Sequence, residues 1–509
     1  MSPQSTARSS LSAIPAWRLS KESAQREFKS LEGWMFSAEA MDLPLDQLER
    51  EQETRGREVF RLMLQAHIQA RGLGDVGDAI EVIPAEGEEK VIQLSFRSNH
   101  LRHETTIFGE VKVERLGYSR PGVPAIHPLD EDLSLPERTC SYEVQRRLVK
   151  AAVQGPFDEA VERLAEATGV AMPKRTAEEI VKDAAEDFAP FYQERKVALP
   201  EECGPIVVGA VDGKGIPMVK PKRAECPIEP KKEGERANKK RMATVATVYT
   251  MEPRIRTPEQ VVESLFWPEL KRQDEERKLL RKKPENKRVW ASLKESKEAV
   301  IEEIRQEMKR RDPEGKKKHV AVTDGERALQ IRVKKQLGPS VLLILDFLHV
   351  LEKLWKAAYV FHDQGSEEAQ DWVWLRAYWI LHGDVSQVVK GLRQMATKRK
   401  LRGQARKTIL SVARYLYNNR TRMRYNEYLA AGLPIASGAV EGACKNLVKD
   451  RMERSGMRWK EDSAEAMLKL RATYLSDDFE EYWAFHIKKD QERLYPSGRW
   501  KPVTQVDGK

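Results

Sequence analysis

The sequence predicts a mixed α/β protein: a core of short strands interrupted by an all-helical block and preceded by a mostly helical amino-terminal region. Three patterns carry that reading. PIVVGAVDG, KKHVAVTD and SVLLILD are short, β-branched or aliphatic runs that end in an acid. LHVLEKLWKAAYVFH and the residues after it to about Leu433 keep a helical spacing without a strand-like run. Before Gly204 most of the chain follows a 3.6-residue rather than a 2-residue period.

The elements follow in order. Residues 1–20 are polar and are expected to form a disordered tail. From Lys21 to Gly72 the spacing of Leu48, Val59, Leu62, Met63 and Ile68 predicts helix closed by a glycine. KVIQLSF and ETTIFGEVKVERLGYS alternate like the strands of a small sheet, and a Pro-rich connection ends this region near residue 135. Residues 136–200 are helical again. In them FDEAVERLAEATGVAMPKRTAEEIVKDAAEDF has the helix, Gly169 turn and second helix of either a helix-turn-helix or a plain helical hairpin. Were it to read DNA, Lys174 and Arg175 would meet the groove.

Residues 201–350 form the first part of the core: the strands PIVVGAVDG and RMATVATVYTMEPRIR around a basic loop at 221–241, a long charged helical stretch from 263 to 312, and two further strands. Residues 351–433 are the helical block, 434–480 the last core helix, and 481–509 a carboxy-terminal tail.

Composition narrows the function. At 509 residues the chain has ample length to bury a core. Its longest clean apolar run, VLLIL, is far short of a bilayer span of about 20 residues, so a membrane protein is not expected. The start lacks an apolar signal core, and the four cysteines show neither C-x-x-C spacing nor a paired-histidine motif; both point to a cytoplasmic protein with reduced thiols. The net charge of +10 permits a polyanionic partner. Its distribution says more: from Gly391 to Arg424 there are eleven Lys or Arg residues, among them Lys398, Arg399, Lys400, Arg402 and Arg406, and no acid, with tyrosines interleaved. A solvated helix face normally mixes signs, so this stretch points to phosphate binding.

Three carboxylates stand out as a site. Asp212 and Asp324 follow strand-like runs, where a side chain projects over the sheet edge, and Glu441 opens a helical pattern after a Ser-Gly turn. Asp-Gly turns are common on their own. Two strand-end acids plus one helix acid in a basic chain, however, form a set that can hold two Mg²⁺ or Mn²⁺ ions, the arrangement that phosphodiester chemistry uses. At helical spacing Lys445 and Lys449 share the face of Glu441 and could hold phosphates or form a solvated stripe. Arg458 could clamp a phosphate, and Trp459 could stack on a base or lie in the core.

The order of these motifs, with Asp346-Phe347-Leu348-His349 after the next strand and then SGAVEGACKNLVKDRMERSGMRW, resembles the DDE transposases of bacterial insertion sequences, closest to the ISKra type. The resemblance runs from about Leu101 to Arg471. It implies an RNase H-like core interrupted by a helical insertion, with an amino-terminal DNA-binding region. Asp212, Asp324 and Glu441 would be the metal-binding triad, and Asp346 and His349 a neighbouring D-x-x-H element; Asp346 also ends a strand and competes with Asp324 as second acid. The implied partners are double-stranded DNA, as element ends and target, and further copies of the chain as a homodimer or higher oligomer on DNA, in a bacterial cytoplasm at the nucleoid. A basic residue expected seven positions after the Glu is here Val448. A related nuclease or resolvase without strand transfer, and a non-catalytic DNA-binding protein, are the alternatives.

Overall fold

The computed structural model describes residues 15–82, 91–197, 199–219, 240–267 and 284–503. The chain is mixed α/β and divides into two units, residues 1–187 with 481–509, and residues 188–480. No helix among the described residues is long and apolar enough to cross a membrane. Cys140, Cys203 and Cys444 are free thiols; the basic loop at 221–241, with Cys226, lies outside the described residues except for its last two positions.

In the first unit, helices Ala16–Met35 and Leu45–Ala70 flank a short one, Ala38–Met41, whose start is capped by the Ser37 hydroxyl accepting from Ala40 N–H. Strands Phe96–Thr106 and Gly109–Arg120 pair antiparallel along their whole length. Gln65 ties the second long helix to this hairpin by donating to the Lys112 carbonyl (2.8 Å) and accepting from the Lys112 N–H (2.7 Å). Three helices follow, Tyr142–Ala152, Phe157–Thr168 and Lys174–Asp183, with Gly169 at φ 72° closing the second.

Residues 481–503, expected as a tail, are instead folded. Strand Trp500–Pro502 pairs antiparallel with Ile80–Val82. His486 and Arg493 of the helix Phe479–Leu494 hold the buried Asp187 carboxylate at 2.7 and 2.6 Å. The segment is short and strongly charged, so its sequence hides a strand that only long-range pairing stabilises.

The second unit is built on one five-stranded sheet. Its strands are β1 (Ile206–Pro217), β2 (Lys240–Met251), β3 (Glu285–Ser292), β4 (Lys318–Thr323) and β5 (Leu342–Leu345). The order across the sheet is β5-β4-β1-β2-β3. β1, β2 and β3 form an antiparallel meander, while β4 joins β1, and β5 joins β4, in parallel. The inner strands are buried on both faces, which is why they read as continuous apolar runs rather than alternating ones.

β3 is a correction to the sequence reading, which places 263–312 in helix. Its apolar run Val289-Trp290-Ala291 is short, with Lys287 and Arg288 in the same strand before it and Lys294 after the strand, so charge masks it. Arg288 itself is buried, its guanidinium between the rings of Tyr192 (3.8 Å) and Trp290 (4.5 Å) and donating to Glu307 (2.9 Å).

Between and after the strands run helices α1 (Pro258–Phe266), α2 (Lys297–Arg311), α3 (Arg327–Leu337), α4 (Phe347–Ala358), α5 (Glu367–Leu381), α6 (Val385–Lys398), α7 (Gly403–Asn419), α8 (Tyr425–Ala430), α9 (Gly438–Ala443) and α10 (Glu461–Leu475). α2 lies so close to β1 that a Cβ at Gly209 would meet Ile304 at 2.8 Å, so glycine there permits the layer to form. α4 to α8 form the expected helical block. Leu354, Val373, Leu392, Leu416 and Leu429 share one continuous core with Val208 of β1, Val320 of β4 and Ile344 of β5. The block is therefore packed onto a face of the sheet, and the chain returns from it directly into α9.

Candidate metal and nucleic-acid site

Sheet register places the first acids. β1 and β4 pair in parallel with Ala210 opposite Val322, which sets Asp212 and Asp324, each two residues on, level and on one face. β4 and β5 pair with Leu345 opposite Thr323, which sets Asp346 level with Asp324. Neighbouring strands lie about 4.8 Å apart, so the three carboxylates lie side by side, Asp324 and Asp346 just past the ends of β4 and β5; Asp212, expected at a strand end, instead lies midway along β1, which stays paired with β2 to Pro217.

Glu441 reaches this group from α9. The Cys444 thiol donates to Asp212 Oδ2 at 3.3 Å, tying the end of α9 to β1. Ser437, at the start of α9, donates from its N–H (3.2 Å) and its hydroxyl to Asp346 Oδ2. Residues 444–449 then continue in a wider π-type turn, a departure from α geometry that is frequent at functional sites. The register that puts Lys445 and Lys449 under Glu441 assumes α geometry and does not hold through this turn; both lysines are exposed.

The electrostatics are those of crowded acids. Burial pushes the Asp324 carboxyl above the usual range, with the Asp212 charge adding to it and His349 opposing. Burial likewise raises Glu441, and Asp346, Glu352 and Asp212 push the same way. Asp212 thus acts on both of the other expected ligands. Asp212 Oδ1 accepts from Gly213 N–H (2.6 Å) and Asp324 Oδ1 from Glu326 N–H (3.0 Å), which fixes both groups while leaving Asp324 Oδ2 for a further partner.

Asp346 is different. It is fully buried, caps α4 by accepting from Leu348 N–H (2.8 Å), and gives its other oxygen to Ser437. His349 Nδ1 lies 3.4 Å from that same oxygen. This carboxylate raises the His349 imidazole to about 9, against burial. Among the described residues Asp346, His349 and Glu441 offer ligand atoms all within 4.8 Å of one another and could hold one cation, whereas Asp212, Asp324 and Glu441 do not converge that closely. Such an ion would have to displace the imidazolium proton and compete with Ser437 for Asp346. An ion on Asp212 would likewise compete with Gly213 and Cys444 for its oxygens, while the raised carboxyls of Asp324 and Glu441 are the state that a divalent cation relieves.

The remaining sequence-selected residues are spread more widely. Lys398, Arg399, Lys400, Arg402 and Arg406 are exposed at the α6–α7 junction and along α7. Arg458 is exposed. Trp459 is not: it is 5% exposed, donates from Nε1 to the Met452 carbonyl (3.0 Å) and hydrogen-bonds through its backbone to Pro217 and Val219. Of its two readings the geometry carries the core one, because the MRW segment closes onto the end of β1. In the first unit Lys174 pairs with Asp158 at 2.7 Å and Arg175 with Glu179 at 3.3 Å, both as exposed surface pairs.

Sequence reasoning missed Ser437 and Cys444 as fasteners of α9. It also missed Tyr415 of α7, whose ring lies against Gly325 beside Asp324. The only signal for the first two was their place in SGAVEGAC, where Ser437 and Cys444 bracket Glu441.

No protein-family model and no curated protein matches the chain. Among solved structures it is similar to the Drosophila P element transposase strand transfer complex, at 10% identity and a TM-score of 0.24, covering 66% of this chain and 80% of that one. At that level the two chains are not shown to share a fold.

Proposed function

We propose that the chain is a DDE-type DNA transposase with an RNase H-like core, Asp212, Asp324 and Glu441 holding two Mg²⁺ or Mn²⁺ ions. The observation that carries this is the shared level of Asp212 and Asp324 on adjacent parallel strands, with α9 and its Glu441 fastened to Asp212 through Cys444. An antiparallel meander extended by two parallel strands, with the second acid ending the fourth strand, is the sheet such a core requires.

When bound, such ions supply an activated water or 3′ hydroxyl and stabilise the charge that develops at phosphorus and on the leaving oxygen. The protein's own residues do the rest. Cys444 and Gly213 orient the Asp212 carboxylate, and Asp346 holds Ser437 so that α9 presents Glu441. The exposed cations of α6 and α7 bind phosphates of double-stranded DNA. Cleaving element ends and joining them to target is the expected outcome, on an assembly of at least two copies.

The test is a plasmid carrying the coding region and its flanking DNA, incubated with the purified chain and Mn²⁺. Metal-dependent cleavage is expected, with Asp212→Asn abolishing it and leaving DNA binding intact; cleavage retained in that variant removes Asp212 from the site. Pre-cut ends offered with a target plasmid separate a transposase from a nuclease or resolvase, since only the former joins them.

A further inference from the structure

We infer that helix α7 of the helical block positions Asp324, so that the surface proposed to bind DNA and the metal-binding loop are opposite sides of one rigid part. This rests on the proposed metal role of Asp324 and deepens it.

At about 100° per residue α7 has two faces. Arg406, Lys407, Arg414 and Tyr417 are exposed and share one side. There the Tyr417 ring lies beneath two guanidinium groups, Arg420 at 4.1 Å and Arg393 at 5.4 Å, a cationic and aromatic surface suited to nucleic acid.

Tyr415 and Asn419, one turn apart, project from the opposite side. The Tyr415 ring sits on the backbone of Gly325 so closely that any Cβ there would overlap it. Asn419 is 4% exposed and its Oδ1 accepts from Gln330 Nε2 at 3.2 Å. The same Nε2 donates to the Asp324 carbonyl at 2.8 Å. Asn419 is in turn held by its own donation to the Tyr415 carbonyl (2.9 Å) and by Arg422 (2.9 Å).

The Asp324-Gly325 backbone is thus held at two points, by a ring against Gly325 and by a carboxamide relay to the Asp324 carbonyl. The carboxylate itself is oriented by Glu326 N–H. α7 cannot shift against the core without moving Asp324. Tyr415 and Asn419 are therefore positioning residues, and Gly325 is glycine because Tyr415 occupies the space of a side chain.

The experiment uses the full chain and reads two quantities: Mn²⁺ affinity by calorimetry, and affinity for a DNA duplex in EDTA. Tyr415→Ala is expected to weaken Mn²⁺ binding about ten-fold, as loss of an outer support of a metal ligand does. DNA affinity in EDTA should stay within about two-fold, which also shows that the variant is folded. Tyr415→Phe keeps the ring on Gly325 and should bind Mn²⁺ within about two-fold of the parent. Gly325→Ala should lose more than Tyr415→Ala, and adding Tyr415→Ala to it should restore part of the loss. Unchanged Mn²⁺ affinity in Tyr415→Ala, or a double variant whose loss is the product of the single losses, overturns the inference. If the parent binds Mn²⁺ no better than Asp212→Asn and Asp324→Asn proteins, the metal reading itself fails and takes this inference with it.

Discussion

At the scale of single residues, two acids that end adjacent strands look alike in sequence and differ in the structure. Asp324 keeps an oxygen for a further partner, whereas Asp346 spends both oxygens on Leu348 and Ser437. The distinction is testable. Asp324→Asn should abolish Mn²⁺-dependent cleavage and leave thermal stability nearly unchanged. Asp346→Ala should lower stability by about 2 to 3 kcal/mol, since it strands buried donors of α4 and α9; chemical denaturation measures both. Trp459 makes the same point for packing. Trp459→Ala should cost about 3 to 5 kcal/mol, and Trp459→Phe much less, whereas a base-stacking ring on the surface would affect DNA affinity and not stability. Cys444 could not be singled out from sequence, because its hydrogen bond to Asp212 spans 232 residues and depends on the π-type turn that it begins.

At the scale of elements, β1 and β4 were legible because their apolar runs stop at an acid, and the helical block was legible because no strand-like run interrupts it. β3 was not. Its buried run Val289-Trp290-Ala291 is short and set among lysines and arginines, and pairing with β2 overrides the local charge pattern. The terminal strand Trp500–Pro502 escaped for the same reason, its partner lying at Ile80–Val82. The polycationic stretch was legible as charge but not as geometry: its Tyr415 faces inward onto Gly325, while Tyr417 faces out. For α7 the expected outcome is electrostatic. Replacing Lys407 and Arg414 together by Glu should weaken duplex binding and reduce the slope of log affinity against log salt by about 0.9 for each phosphate that is no longer neutralised. An unchanged slope in a salt titration would place the DNA surface elsewhere.

At the scale of the whole molecule, the two units differ in what they owe to titrating groups. In the first, His127 packs against His100, with Nε2 and Nδ1 2.8 Å apart, and near Arg115. Burial, then the Arg115 guanidinium, depress its imidazole to about 4 from an ordinary 6.5. The folded unit therefore binds fewer protons than the unfolded chain between these values. His127 contributes stability that is present above about pH 6.5 and is lost as pH falls toward 4. Unfolding free energies of the parent and of His127→Gln should converge over that window, and a pH-independent difference would contradict the assignment. In the second unit, everything proposed turns on Asp212 and Asp324, level on neighbouring parallel strands, and on Glu441 of a helix tied to Asp212 by one thiol hydrogen bond. The most direct measurement is the anomalous scattering of Mn²⁺ soaked into crystals of the chain. Density between Asp212, Asp324 and Glu441 is the predicted result; metal confined to Asp346 and His349, or none near Asp212, would contradict it.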